Sequence, residues 1–172
     1  MKKYKVGIVG QGYVGKALKV GFKSDNIEIN TYDKYLSDQS TVKDLNELIL
    51  SSNIIFICVP TPMKKNGECF TGIVEEVVKD INILADDKKT VIIKSTVPPG
   101  TTEKLNEICK NISLIFNPEF LTEANFLDDF KNQKYIILGG NKKDLDLVEN
   151  LYSIIFPEIK INRTTSINAE IV

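Results

Sequence analysis

The sequence predicts an α/β fold: a doubly wound, mainly parallel sheet of six strands or slightly more, with helices on both faces. Three observations predict it. Six short apolar, β-branched runs recur along the chain, the stretches between them carry helical spacing, and polar residues of unusual type follow the runs directly. Strand, helix, strand repetition implies parallel neighbours joined by right-handed crossovers.

The elements follow in order. KVGIV at 5–9 reads as the first buried strand, and glycines after it give way to a helix opening at Lys16. IEINTY at 27–32 is the second strand and stops at Asp33. VKDLNELIL at 42–50 has helical spacing and leads into NIIFICV at 53–59, the third strand. IVEEVVKDINIL at 73–84 is the next helix, before the strand TVIIKS at 90–95. TEKLNEICK at 102–110 and ISLIFN at 112–117 repeat the alternation, and KYIILG at 134–139 with KDLDLVENLYSII at 143–155 completes it. Each apolar run is short enough for a strand buried on both faces. The chain shows no repeat, low-complexity tract or interdomain linker, and 172 residues suit one domain.

Composition narrows the function. The chain has 22 basic and 23 acidic residues and a net charge of −1, so no strong field points to nucleic acid or a membrane surface. A small ligand is the expected partner. No apolar window is long enough to span a bilayer, and the N-terminal lysines precede a strand with no small-residue cleavage site. The 3 cysteines form no disulfide or zinc pattern, which fits a reducing cytoplasm. There are 0 histidines, which excludes Ser-His-Asp and Cys-His nucleophiles and leaves proton transfer to Glu, Asp, Lys, Tyr or Cys.

Sheets of this kind bind ligands at the carboxyl ends of their strands. After the first strand stands Gly10-Gln11-Gly12-Tyr13-Val14-Gly15. Gly10 permits a tight turn, Gly12 lets a pyrophosphate approach the backbone, and Gly15 lets helix and strand pack closely while the helix N-terminus faces the anion. Asp33 stands where a carboxylate accepts from ribose hydroxyls and repels a 2′-phosphate, which favours NAD over NADP. Lys34 beside it reads as a solvated charge. The later strand ends carry Val59-Pro60-Thr61-Pro62, Ser95-Thr96-Val97-Pro98-Pro99-Gly100 and Asn117-Pro118-Glu119-Phe120-Leu121-Thr122-Glu123. Prolines fix these as rigid exits at one edge, so Thr61, Thr96 and Glu119 are expected in one preorganised site. Glu119 and Glu123, four residues apart, could share one face of a helix or a turn.

GIVGQGYVGKAL, FICVPTP, KSTVPPGTT and NPEFLTEANF, in this order and at these strand ends, resemble the nucleotide-binding half of the UDP-glucose/GDP-mannose dehydrogenases. The resemblance covers essentially the whole chain and implies a Rossmann-type fold, NAD as cofactor and a nucleotide sugar as substrate, UDP-glucose being the family's commonest. That family oxidises a sugar C6 alcohol to a carboxylate with two NAD⁺ in succession, through a thioester on an enzyme cysteine. By resemblance, the backbone of Tyr13 and Val14 meets the pyrophosphate, Asp33 the adenosine ribose, and Thr61 and Thr96 the cofactor. Thr96 and Glu119 are carried over as catalytic, Glu119 as general base or water-orienting carboxylate. Glu123 is carried over to the nicotinamide and the catalytic set, and Phe120 and Leu121 to the sugar nucleotide. No metal is implied.

The family's nucleophilic cysteine sits in a Gly-x-Cys-Phe segment far downstream. NGECF at 66–70 is therefore a local lookalike, and Cys69 is not expected to be the nucleophile; Cys58, inside an apolar strand, and Cys109, near a helix end, read as small packing residues. Residues 1–163 are expected to form the NAD-binding domain and 164–172 the start of the family's long central helix. The family's catalytic lysine, asparagine, cysteine and aspartate are then expected beyond Val172, so the chain should bind cofactor without turning over substrate. Asp38 stands where a second basic adenosine contact is often found. The alternatives are a free-standing, non-catalytic NAD-binding module or partner subunit, and a β-hydroxyacid dehydrogenase relative, against which NPEFLTEAN argues. The full-length protein is expected to be a homodimer. This chain should be a monomer or weak dimer, and light scattering that found a tight, concentration-independent oligomer would contradict that.

Overall fold

The computed structural model describes residues 3–172. Among them, seven strands form one sheet in the order β2-β1-β3-β4-β5-β6-β7. β1 (Tyr4–Val9) pairs with β2 (Ile27–Tyr32) in parallel, from Tyr4 opposite Ile27 to Val9 opposite Tyr32. The two strands end level, so Asp33 leaves the sheet beside Gly10. On the other side of β1 lie β3 (Ile54–Ile57), β4 (Lys89–Ile93) and β5 (Ile112–Phe116), all parallel.

Alternate side chains of the central strands feed two cores, as the two-residue period requires. Ile54, Phe56, Ile92 and Ile115 pack with α1 (Tyr13–Gly21), α5 (Phe126–Lys131) and α6 (Lys142–Ile155). Ile55, Ile57, Val91, Ile93, Leu114 and Phe116 pack with α2 (Leu45–Leu50), α3 (Gly72–Leu84), α4 (Thr101–Ile108) and Ala169 of α7 (Ser166–Ile171). The first core centres on Phe22, Phe56 and Tyr152, whose rings meet at centroid distances of 5.2–6.3 Å. Each such buried ring contributes about 1.5–3 kcal/mol through burial.

The far edge departs from the uniform parallel alternation. β6 (Tyr135–Gly139) runs antiparallel to β5 and joins it by the single pair Phe116 and Gly139. The register places Gly139, the last residue of β6, opposite Phe116, the last residue of β5, so β6 ends level with the carboxyl end of β5 and its earlier residues lie beyond it. Asn117 strengthens the join by donating its Nδ2 to the Ile137 carbonyl at 2.9 Å. β7 (Lys160–Thr164), parallel to β6, has a largely exposed face and no apolar run to announce it. α5 and β7 were not expected from the sequence.

The division expected at residue 163 falls inside β7, whose last residue is Thr164. α7 packs on α4 and β6. Glu170 of α7 accepts from the Gly100 N–H at 2.5 Å and the Thr102 N–H at 2.8 Å, so a carboxylate some 70 residues away in sequence caps α4. Among the described residues no helix is long and apolar enough to cross a membrane. Glu170→Ala removes both acceptors and should lower the unfolding free energy by about 1–2 kcal/mol in urea titrations. An unchanged midpoint would show that apolar packing alone seats α7.

Candidate functional site

The site begins with the turn between β1 and α1. Gly10 has φ 93°, and a Cβ there would lie 2.6 Å from the Cys58 carbonyl oxygen. A Cβ on Gly15 would lie 2.0 Å from the Gly10 carbonyl oxygen, so only glycine lets the helix approach the turn this closely. A Cβ on Gly12 would meet nothing within 4 Å and would project into open space. The helix starts at Tyr13, earlier than the Lys16 expected, because Gly12 serves as its N-cap. Lys16 N–H makes the first intrahelical bond, to Gly12 O at 3.0 Å. Gly12 offers no side-chain cap, so the first-turn amides keep the unsatisfied, electropositive character of a helix end.

Asp33 is engaged before any ligand arrives. Its Oδ2 accepts from Gln11 N–H at 2.7 Å, and its Oδ1 accepts from the N–H groups of Tyr35 and Leu36 at 2.9 Å each. Burial works to raise its pKa, but these three backbone donors, helped by Lys16, outweigh it and hold the carboxyl below the usual aspartate range. Lys34 pairs loosely with Glu76 at 3.8 Å on the surface, away from this carboxylate. Asp38 sits in a short 3-10 turn, where it accepts from Gln39 Nε2.

One cleft of about 560 Å³ runs along the strand-end edge. Gly10, Gly12, Tyr13, Val14, Asp33, Thr61, Thr96, Glu119 and Leu121 all line it, as do Tyr35, Leu36 and Lys94, which the sequence did not single out, and Cys58, which it read as a packing residue. Gly15 lies beneath it as packing. Phe120 instead lines an adjoining cleft of about 300 Å³, which shares Glu119 and Leu121, and its ring packs edge-on against Tyr135. Glu123 is exposed in a turn and lines neither cleft. The two glutamates therefore do not share a face: Glu119 bends its own Oε1 back to accept from Phe120 and Leu121 N–H, at 2.8 and 3.2 Å, which keeps the segment irregular.

The strongest electrostatic feature is Lys94. Its side chain is 4% exposed, its Nζ lies 2.9 Å from Glu119 Oε2, and it donates to Asn117 Oδ1 at 3.1 Å. Tyr152 OH donates to the same Asn117 oxygen at 2.7 Å. Burial would lower the Lys94 pKa, yet the neighbouring Glu119 carboxylate overrides it and raises it above the ordinary lysine value. Burial pushes the Tyr152 phenol up to about 12, and likewise the Cys58 thiol to about 12. Cys58 lies just beyond β3, on the cleft, and not within the strand as expected. At neutral pH it is a thiol. Cys69 lies on a hairpin closed by its pairing with Met63, and its Sγ–H donates to Thr96 O at 3.6 Å. Cys109 caps α4. The signal for Lys94 was a charged residue at the end of an otherwise apolar strand run.

The lowered Asp33 pKa fixes a pH dependence. A carboxyl whose folded pKa lies below its unfolded value of about 3.9 stabilises the fold above that value, and the contribution disappears as pH falls through the folded pKa. Asp33→Asn should therefore be less stable than the parent by a constant margin near neutral pH. In urea unfolding across a pH series, the margin should shrink below about pH 4. A margin independent of pH would mean the carboxylate charge does not matter.

The geometry fits a dinucleotide: an uncapped helix end, open space at Gly12 and an ionised carboxylate lie along one cleft. Comparison with known proteins agrees. Residues 40–156 match the model of the UDP-glucose/GDP-mannose dehydrogenase family, NAD binding domain. An uncharacterized protein of Methanocaldococcus jannaschii is 31% identical over 184 residues, covering 86% of this chain and 20% of that protein. GDP-mannose 6-dehydrogenase of Pseudomonas aeruginosa is 35% identical over 127 residues, covering 66% of this chain and 29% of that enzyme. Other relatives are named as UDP-glucose and UDP-N-acetyl-D-mannosamine dehydrogenases. A UDP-glucose dehydrogenase structure from Pyrobaculum islandicum shares the fold, with a TM-score of 0.86 at 24% identity over 98% of this chain and 48% of that one. The chain thus spans less than half the length of these relatives. It belongs to the UDP-glucose/GDP-mannose dehydrogenase family and carries that family's NAD-binding domain.

Proposed function

We propose that this chain is the cofactor-binding half of a cytoplasmic nucleotide-sugar 6-dehydrogenase of the UDP-glucose type. The overall reaction takes a sugar C6 alcohol, one water and two NAD⁺ to the carboxylate, two NADH and three protons. The observation that carries the reading is the single cleft that unites Asp33, the uncapped end of α1, Thr61, Thr96 and Glu119. Asp33 takes the adenosine ribose, the α1 amides take the pyrophosphate, and Thr61 and Thr96 flank the cofactor. When bound, NAD⁺ supplies the hydride acceptor.

Glu119 is the proposed base or water-orienting group, and Leu121 with Phe120, at the adjoining cleft, the sugar-nucleotide contacts. Thr96, Glu119 and Glu123 carry the catalytic assignment, with Thr96 and Glu119 on the cleft and Glu123 exposed in the turn beyond Leu121. None of the three cysteines is placed as a nucleophile: Cys58 is held as a thiol, Cys69 braces the Thr96 loop, and Cys109 caps a helix. The thioester chemistry is therefore assigned to polypeptide other than these residues, with a homodimer as the proposed assembly of the complete enzyme.

Calorimetry tests the cofactor reading directly. The chain should bind NAD⁺, and bind NADP⁺ at least about tenfold more weakly, because a 2′-phosphate would meet the Asp33 carboxylate. Gly12→Val is the decisive variant. Its side chain enters open space and only the N-cap preference is lost, so stability should fall by no more than about 1 kcal/mol, while the cleft is filled and NAD⁺ affinity falls at least about a hundredfold. Unchanged affinity would mean the dinucleotide does not lie on the glycine turn.

A further inference from the structure

The cleft ends in a buried ion pair. Lys94 cannot swing away, because Asn117 Oδ1 accepts from its Nζ and is itself held by Tyr152 OH. Glu119 is equally fixed, since backbone N–H groups of Phe120 and Leu121 hold Oε1 while Oε2 faces Lys94 at 2.9 Å. Both side chains line the same cleft as Asp33 and the glycine turn.

Strand order sets their place along that cleft. The sheet runs β2-β1-β3-β4-β5, so the sites after these strands follow as Asp33, the glycine turn, Thr61, Lys94 with Thr96, and Glu119. A dinucleotide with its ribose at Asp33 and its pyrophosphate at α1 directs its nicotinamide toward the β4 and β5 end. That ring carries a positive charge when oxidised and none when reduced. An isolated buried ammonium at this end would oppose the oxidised form, and an isolated carboxylate would favour it.

We propose that the Lys94–Glu119 ion pair sets the relative affinity of this domain for oxidised and reduced cofactor, by presenting no net charge to the nicotinamide end. The inference rests on the cofactor reading above. It assigns Lys94 a role apart from proton transfer: it is the counter-charge that prevents Glu119 from holding NAD⁺ too tightly relative to NADH.

The test is the ratio of NAD⁺ to NADH dissociation constants for the 172-residue chain and three variants, by calorimetry. Glu119→Gln leaves Lys94 uncompensated and should weaken NAD⁺ relative to NADH by about tenfold, the effect of one unit charge roughly 10 Å away at an effective dielectric of about 20. Lys94→Met should move the ratio about as far in the opposite direction. The double variant should return it close to the parent value, as a thermodynamic cycle requires when the two charges act through one another. Opposite signs for the two single variants distinguish charge from loosened packing, which would weaken both cofactor forms together. Should Lys94→Met fail to fold, Glu119→Gln decides: an equal loss of NAD⁺ and NADH affinity, or an unchanged ratio, overturns the inference and leaves the cofactor reading intact. If the parent chain binds neither form, the cofactor reading itself falls and the inference with it.

Discussion

The close approach of α1 to the end of β1 is the constraint on which the site depends. A Cβ at Gly15 would overlap the Gly10 carbonyl at 2.0 Å. That overlap is with backbone on both sides, so it exceeds the ordinary overpacking that costs about 1–3 kcal/mol. With glycine present, the helix end points at the cleft and the turn places Gln11 N–H on Asp33. Asp33 then organises the next loop through Tyr35 and Leu36, while its own N–H donates to Ser40 Oγ at 2.9 Å. One steric allowance thus propagates from a helix–strand contact to a whole wall of the site.

The opposite wall is built by a different economy. Taking the Lys94 ammonium out of water costs several kcal/mol, and the Glu119 carboxylate with two hydrogen-bonded neighbours offsets it. Asn117 is the junction: its Oδ1 serves Lys94 of the β4 end and Tyr152 of α6, and its Nδ2 serves β6. Because β5 and β6 share a single ladder pair, this side-chain junction does work that backbone pairing does elsewhere in the sheet. Truncating one member of such a network leaves the others buried and unmatched, so its members are coupled in stability as well as in position.

The parts legible in the sequence were those governed by local pattern. β1 and β3 to β5 are read from apolar runs because they are buried on both faces, and the glycine turn from its spacing. Three features were not legible, for separate reasons. β7 shows only an exposed, polar run, KINRT, so no period marks it. The antiparallel register of β6 rests on a single ladder pair with β5, which no run of hydrophobicity encodes. Lys94 looks like the polar exit of a strand until folding brings Glu119, from another strand end, to within 2.9 Å. The spacing of four between Glu119 and Glu123 gives a shared face only where the backbone is helical, and Glu119 is held irregular by bonds from its own neighbours.

Counting lone pairs at Asp33 clarifies how such a site chooses its ligand. An ionised carboxylate offers about four acceptor positions, and three are already filled by Gln11, Tyr35 and Leu36. About one remains for a ribose hydroxyl, too few to hold both hydroxyls by well-aligned bonds without displacing a backbone donor. The same donors that use up its acceptors hold its pKa down and so keep it negative. On the proposed placement of the adenosine ribose at Asp33, discrimination between a 2′-hydroxyl and a 2′-phosphate would therefore rest on charge more than on hydrogen-bond geometry. Such discrimination should survive small shifts of the ligand, because Coulombic repulsion falls off slowly with distance, whereas a hydrogen bond is lost within a fraction of an ångström.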